Sequence, residues 1–198
     1  MGGHAAVPSS GRVRRWAIVI LGLGAGCGVL SVVARPVSNN IHVVATDTLY
    51  RSAQLSPERL AELIATNHIR SVLNLRGARP GAQWYDDEVA TTTRLDVQHM
   101  DFELFSDVRI SPVVADQLVR LMERLSKPLL IHCEGGSDRA GLASALYRYA
   151  IMGDAADEAD RQLSFVFGHI PIFGGKTIAM DQSFADYVNS YPQPTHQQ

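Results

Sequence analysis

At 198 residues with 46% hydrophobic content and a formal net charge of −2, the chain has length for one ordinary domain plus a modest extension. That charge, with no basic run longer than Arg12–Arg15, offers nothing to a polyanionic backbone and argues against nucleic-acid binding. The two cysteines are Cys27, inside an apolar N-terminal stretch, and Cys133, so the remainder of the chain has a single thiol and neither an internal disulfide nor a cysteine-based zinc site.

Residues 1–15 are small, polar and then basic, without periodicity, and are expected to be disordered. Trp16–Ala34 carries no charge and is long enough to cross a bilayer as a helix. Arg12, Arg14 and Arg15 before it and Arg35 after it predict an N-inside orientation, with the rest of the chain outside the cytoplasm. Two other readings stay open: a cleaved signal ending near Val32-Val33-Ala34, and a lipid anchor on Cys27. All three place the following domain at or beyond a membrane. Residues 35–45 read as a linker entering a first strand, in which His42-Val43-Val44 is ready to pair.

The domain proper is assigned to residues 46–191, before a polar tail at 192–198. Leu49–Ala53 reads as a strand, and Ser56-Pro57-Glu58 as a helix start with Ser at the N-cap and Pro in the first turn; Leu60, Leu63 and Ile64 form the apolar stripe. Ser71–Leu75 is a second strand, Ala78–Asp87 a loop, Glu88–Arg94 a short helix and Asp96–Leu104 a third strand. Ser111-Pro112 starts an amphipathic helix over Val113–Leu125. Pro128–Ile131 is an apolar strand, a helical pattern opens at Arg139, and further helices are predicted over Asp154–Phe167 and Asp181–Tyr191. Strands alternating with helices predict an α/β fold, a mainly parallel sheet flanked by helices on both faces, with ligands at the carboxyl ends of the strands.

One stretch carries chemistry. Lys127–Gly141 reads K-P-L-L-I-H-C-E-G-G-S-D-R-A-G: a strand, a glycine-rich turn and a helix N-terminus. Backbone N–H groups of residues 134–139 can turn onto one oxyanion, and the helix dipole adds to their field. Such a cradle favours the thiolate of Cys133, a strong nucleophile. Six positions on, Arg139 offers a planar fork of donors that suits a phosphate bidentately. Glu134, Gly135, Gly136, Ser137 and Asp138 complete the loop, the glycines being read as allowing close approach of backbone to phosphate.

The combination H-C-x5-R resembles the signature loop of the cysteine-dependent protein tyrosine and dual-specificity phosphatases. L-Y-R-S-A-Q at 49–54, V-L-N-L-R-G at 72–77 and Q-L-S-F-V-F-G-H at 162–169 are similar to the compact bacterial members, so the resemblance runs from about Leu49 to Tyr187. It implies a phosphocysteine intermediate, a phosphorylated protein or small molecule as substrate, and no metal or organic cofactor. It also implies a Ser or Thr after the Arg, where this chain has Ala140. Loss of that hydroxyl's hydrogen bond, worth ~1–3 kcal/mol, slows release of the sulfur roughly ten- to hundred-fold. A low-turnover phosphate-recognition module is therefore the alternative, and a sulfur-transfer or arsenate-handling enzyme a third, less favoured one.

The leaving oxygen needs an acid on a loop at the same sheet edge as Cys133. Asp107 follows a predicted strand and precedes a helix, where the resemblance also places the family's mobile acid loop. Asp96 and Asp101 fall within the strand, and Asp86 and Asp87 follow the more distant loop. His132 is expected to order the cysteine loop. Arg51 and Arg76, at strand ends, are read first as structural ion pairs, with pocket lining as the open alternative for either, and His169 and Lys176 as rim residues. Glu134 and Asp138 are expected to be rim carboxylates that disfavour densely charged ligands. The expectation is a monomeric phosphomonoesterase tethered by residues 16–34 to a bacterial inner membrane, its domain on the periplasmic side.

Overall fold

Three strands are buried at every residue: β2 (Leu49–Ser52), β3 (Ser71–Asn74) and β5 (Leu129–His132). Such unbroken runs suit the centre of a parallel sheet covered on both sides. The computed structural model, which describes residues 39–171 and 177–193, arranges five strands in the order β1-β2-β5-β3-β4, with β1 (His42–Ala45) and β4 (Gln98–Asp101) at the edges. β2, β5, β3 and β4 are parallel, and β1 pairs antiparallel with β2. The sheet is thus mixed, with its parallel part as expected.

The strand register sorts the side chains. Tyr50, Leu130 and Val72 align in one row and join Leu60, Leu63, Ile64 and Ile69 in the smaller core cluster. That cluster is covered by α1 (Pro57–Asn67), on which α2 (Gln83–Arg94) packs. Leu49, Leu129, Ile131 and Leu73 face the other way, into the larger cluster with α3 (Pro112–Arg124), α4 (Asp138–Tyr147) and α6 (Ile178–Ser190). Ser56 and Ser111 cap α1 and α3 by accepting the N–H of Arg59 and Val114, each followed by Pro in the first turn.

Several boundaries differ from the sequence expectation. β4 stops at Asp101, although the Phe102 and Leu104 N–H groups still donate to Asn74 O (3.0 Å) and Leu75 O (3.2 Å); at Gly77 (φ +75°) a Cβ would sit 2.7 Å from that of Glu103. α2 begins at Gln83, five residues before the predicted Glu88, with Asp86 in its first turn accepting the Gly81 N–H at 3.1 Å. The helix predicted over Asp154–Phe167 is instead α5 (Ala156–Asp160) and a 3₁₀ turn (Phe165–Phe167), since the chain between them bends to present Gln162 to Arg51. Among the described residues no helix is long and apolar enough to cross a membrane. The segment 16–34, Cys27 and Lys176 lie outside the described residues.

Candidate active site

β5 ends at His132, and the chain runs through Cys133–Ser137 into α4 at Asp138, all at the carboxyl edge of the parallel strands. The Gly136 N–H donates to Cys133 Sγ at 3.2 Å. Gly136 has φ +71°, and a Cβ on it would lie 2.6 Å from the Ala53 N and 2.7 Å from the Ser52 carbonyl carbon. This glycine is required by the end of β2 as well as by its backbone angle. Gly135 has no such need: its Cβ would meet only Ser137 Oγ, at 3.4 Å. Cys133 is 2% exposed and packs in the larger core cluster, so its sulfur lies deep beneath the loop.

Arg51 holds the loop from behind. Its side chain is wholly buried, and it donates to the carbonyls of Gly136 (2.8 Å), Ser137 (3.0 Å) and Gln162 (2.9 Å) while stacking over Phe167. It makes no ion pair among the described residues, contrary to the sequence reading. Two loop carbonyls are thus drawn toward this guanidinium, while the Gly136 N–H stays on the sulfur. Asn40 braces the outside of the same loop through Gly135 O (3.0 Å) and Phe167 O (2.9 Å).

His132 is positioned by a residue that the sequence did not mark. Its Nε2 meets Glu88 Oε1 at 3.0 Å, and the same oxygen meets His99 Nε2 at 2.9 Å, while Gln54 donates to Glu88 Oε2 at 2.6 Å. Burial pushes the Glu88 carboxyl up, but the charge and hydrogen bond of His132, then the bonds from His99 and Gln54, outweigh it and hold it well below the ordinary carboxylate range. Its only sequence signal is helical spacing that places Glu88 with the buried Thr91 and Thr92. Glu88→Gln is expected to destabilise the domain by about 3 kcal/mol, since it breaks a buried charged network. Urea unfolding reads this directly, with the exposed Arg120–Asp116 pair as reference: Asp116→Asn should change stability by less than about 1 kcal/mol.

Arg139 points its Nη1 at Leu104 O (3.4 Å), on the loop that leaves β4. Asp107 is an exposed residue of that loop, whose far end is anchored to α6 by the Arg109–Asp186 ion pair and by Ile110 N–H to Ser183 Oγ (3.0 Å). Asp101 is committed elsewhere, to Asn74 Nδ2 (2.8 Å) and Tyr85 OH (2.7 Å). Beside Arg139 opens a cavity of about 270 Å³ lined by Arg76, Arg79, Ala82, Trp84, Glu134 and Arg139. Arg76, expected in an ion pair, instead stacks on Trp84 at 3.6 Å and donates to Gln54 Oε1 at 2.9 Å.

Asp138 is turned away from that wall, against the rim expectation. It pairs with His169 Nδ1 at 2.7 Å, and His169 Nε2 pairs with Asp181 at 2.9 Å. Burial lowers the His169 pKa, but the bonds and charges of the two aspartates outweigh it and raise the value above the ordinary one. His169 is therefore a buried tie between α4 and α6, not a rim residue. Among the described residues three buried side-chain nitrogens lack a partner, Arg51 Nε, His132 Nδ1 and Arg139 Nε, and all three belong to residues that form or hold this loop.

A family model described as Swiss Army Knife protein, DSP-PTPase phosphatase domain, matches residues 40–168. The chain belongs to this phosphatase family. The match spans all five strands and the whole cysteine loop, and it makes the protein a cysteine-based phosphatase of dual-specificity type. Solved phosphatases share the fold. Pseudomonas aeruginosa TpbA is 20% identical over 78% of this chain and 86% of its own, with a TM-score of 0.59. A Cys-to-Ser variant of TpbA, in complex with pTyr, is 21% identical over 80% and 88%, with a TM-score of 0.58. PTPMT1 is 14% identical over 76% and 97%, with a TM-score of 0.57. No curated protein matches the chain.

Proposed function

We propose that this dual-specificity-type phosphatase hydrolyses phosphomonoesters by double displacement on Cys133. The thiolate attacks phosphorus in line, the bond to the alcohol or phenol oxygen breaks, and Asp107 gives that oxygen its proton. Arg139 and the loop N–H groups of residues 134–138 hold the equatorial oxygens as charge shifts onto them. Water, losing a proton to Asp107, then attacks the phosphocysteine; the S–P bond breaks, and phosphate leaves with the thiolate restored. The observation that carries this reading is the Gly136 N–H on Cys133 Sγ, inside a loop whose carbonyls are drawn away by Arg51. For Asp107 the support is position: its loop leaves the carboxyl end of β4 and touches Arg139 through Leu104.

The pTyr complex of TpbA supports a phosphotyrosine-like aryl ester as one substrate type. The uncharged stretch 16–34 and its flanking arginines support a membrane tether, with this monomeric domain outside the cytoplasm. Ala140 favours a second reading, a phosphate-recognition module with little turnover. Its side chain is fully buried in the larger core cluster and carries no hydroxyl to help the sulfur leave.

Release of 4-nitrophenol from 4-nitrophenyl phosphate separates the two, because the phenol leaves as the phosphocysteine forms and phosphate only when it is hydrolysed. Release of many equivalents per protein supports the enzyme, and a single stoichiometric burst without a steady phase supports the module. With turnover established, Asp107→Asn should lower kcat/KM for phenyl phosphate, which reports the first displacement alone, about 10²- to 10⁴-fold. The loss should be far smaller for 4-nitrophenyl phosphate, whose anion departs without a proton; equal losses on both would remove Asp107 as the acid.

A further inference from the structure

Three arginines and one glutamate line the cavity beside the cysteine loop, and they are not equivalent. Arg139 belongs to the phosphate clamp. Arg79 is already paired with Glu103. Arg76 has no ion-pair partner among the described residues: its guanidinium is held flat on Trp84 and tied by one donor to Gln54, which is itself fixed by Glu88. Glu134 lines the same wall but makes no hydrogen bond to it among the described residues. A cation fixed in orientation by stacking, with donors left over, loses little side-chain entropy on meeting an anion. Burial pulls the Arg76 pKa down, Glu134 pulls it up and Arg139 pulls it down again, which places the two guanidinia within electrostatic reach of one another.

We infer that Arg76 is a second anion site, and that the substrate is a compact phosphomonoester carrying another anionic group, a carboxylate or a second phosphate, on the same small scaffold. This deepens the proposed function and rests on it: the phosphoryl group to be transferred lies on Arg139 and the loop amides, and the additional anion lies on Arg76 against Trp84. Size limits how far apart the two anions can lie on their scaffold. A cavity of about 270 Å³ takes one compact group, below the ~300–1,000 Å³ typical of sites that enclose drug-sized ligands. Glu134, whose charge acts on Arg76 from the same wall, opposes diffuse acidity around the mouth, so an additional anion gains only where it engages the Arg76 guanidinium directly.

The test compares phenyl phosphate with 3-carboxyphenyl phosphate, which differ by a single carboxylate. The wild-type protein should prefer the carboxylated ester by about tenfold in kcat/KM, mostly through KM, as one charge-assisted bidentate contact provides. Arg76→Gln should bring the ratio to about one, whatever it does to either rate, and Arg76→Lys should restore part of it. The preference should also weaken as salt is raised. A wild-type ratio near one, or a ratio that survives Arg76→Gln, overturns the inference; in the second case both rates falling together would assign Arg76 to the transferred phosphoryl group itself. A tyrosine-phosphorylated peptide with flanking acidic residues outrunning both esters would overturn the small-molecule assignment. If neither ester turns over, the proposed hydrolysis fails on its own, and the anion site is then decided by calorimetric affinities of the two esters for Cys133→Ser, where the same tenfold difference is expected and equal affinities refute it.

Discussion

Cys133→Ser is expected to lower steady phosphate release from aryl phosphates by more than about 10⁴-fold while leaving substrate affinity within a few-fold. The reason is chemical. A serine hydroxyl stays protonated at neutral pH and lacks the nucleophilicity of sulfur, whereas the donors that hold the phosphoryl group, the loop amides and Arg139, are untouched by the exchange. The geometry fits the expectation, because the Gly136 N–H that reaches Sγ at 3.2 Å is a backbone group that the exchange leaves in place. Affinity measured by calorimetry with phenyl phosphate and turnover measured by phosphate release should therefore separate cleanly. Activity retained within tenfold would mean that another group performs the displacement, and the proposed mechanism would have to be abandoned.

Arg51→Met should be the most damaging change behind the loop. It removes the donors to Gly136 O, Ser137 O and Gln162 O, three acceptors held in a dry setting, at ~1–3 kcal/mol for each one left unsatisfied. A total of about 3–5 kcal/mol is expected, because neighbouring losses do not add. At ~2–4 °C per kcal/mol for a chain of this size, the melting temperature should fall by about 6–20 °C. Burial draws the Arg51 guanidinium down to about 10, against the pull of Cys133 and Asp138, so it remains cationic at neutral pH. Activity should fall as well, since the carbonyls are then free to rotate toward the sulfur and the amides away from it. A variant of wild-type stability and rate would show that the loop holds its shape without this arginine.

Arg51 also marks the limit of what could be read in advance. Its position at a strand end was plain, and pairing with a carboxylate was the natural guess for a cation there. Its carbonyl partners come from residues 85, 86 and 111 positions away, which no spacing rule connects. Glu88 was hidden for the same reason: it looks like one more acid near the start of a surface helix, until β4 brings His99 and β5 brings His132 to one oxygen. The sequence places Asp138 and His169 at the rim, whereas the packing of α4 on α6 makes them a buried tie.

What the amino-acid order determined by itself was the set of local choices: the buried strand runs, the Ser-Pro caps of α1 and α3, and a cysteine six residues before an arginine across a glycine turn, each encoded in contacts between neighbours a few residues apart. Only the folded chain decided which side chains serve that turn. The partners of Arg51, Glu88 and Arg76 arrive from separate strands and helices, and the energy that selects them comes from burial and charge that do not exist until the sheet has assembled.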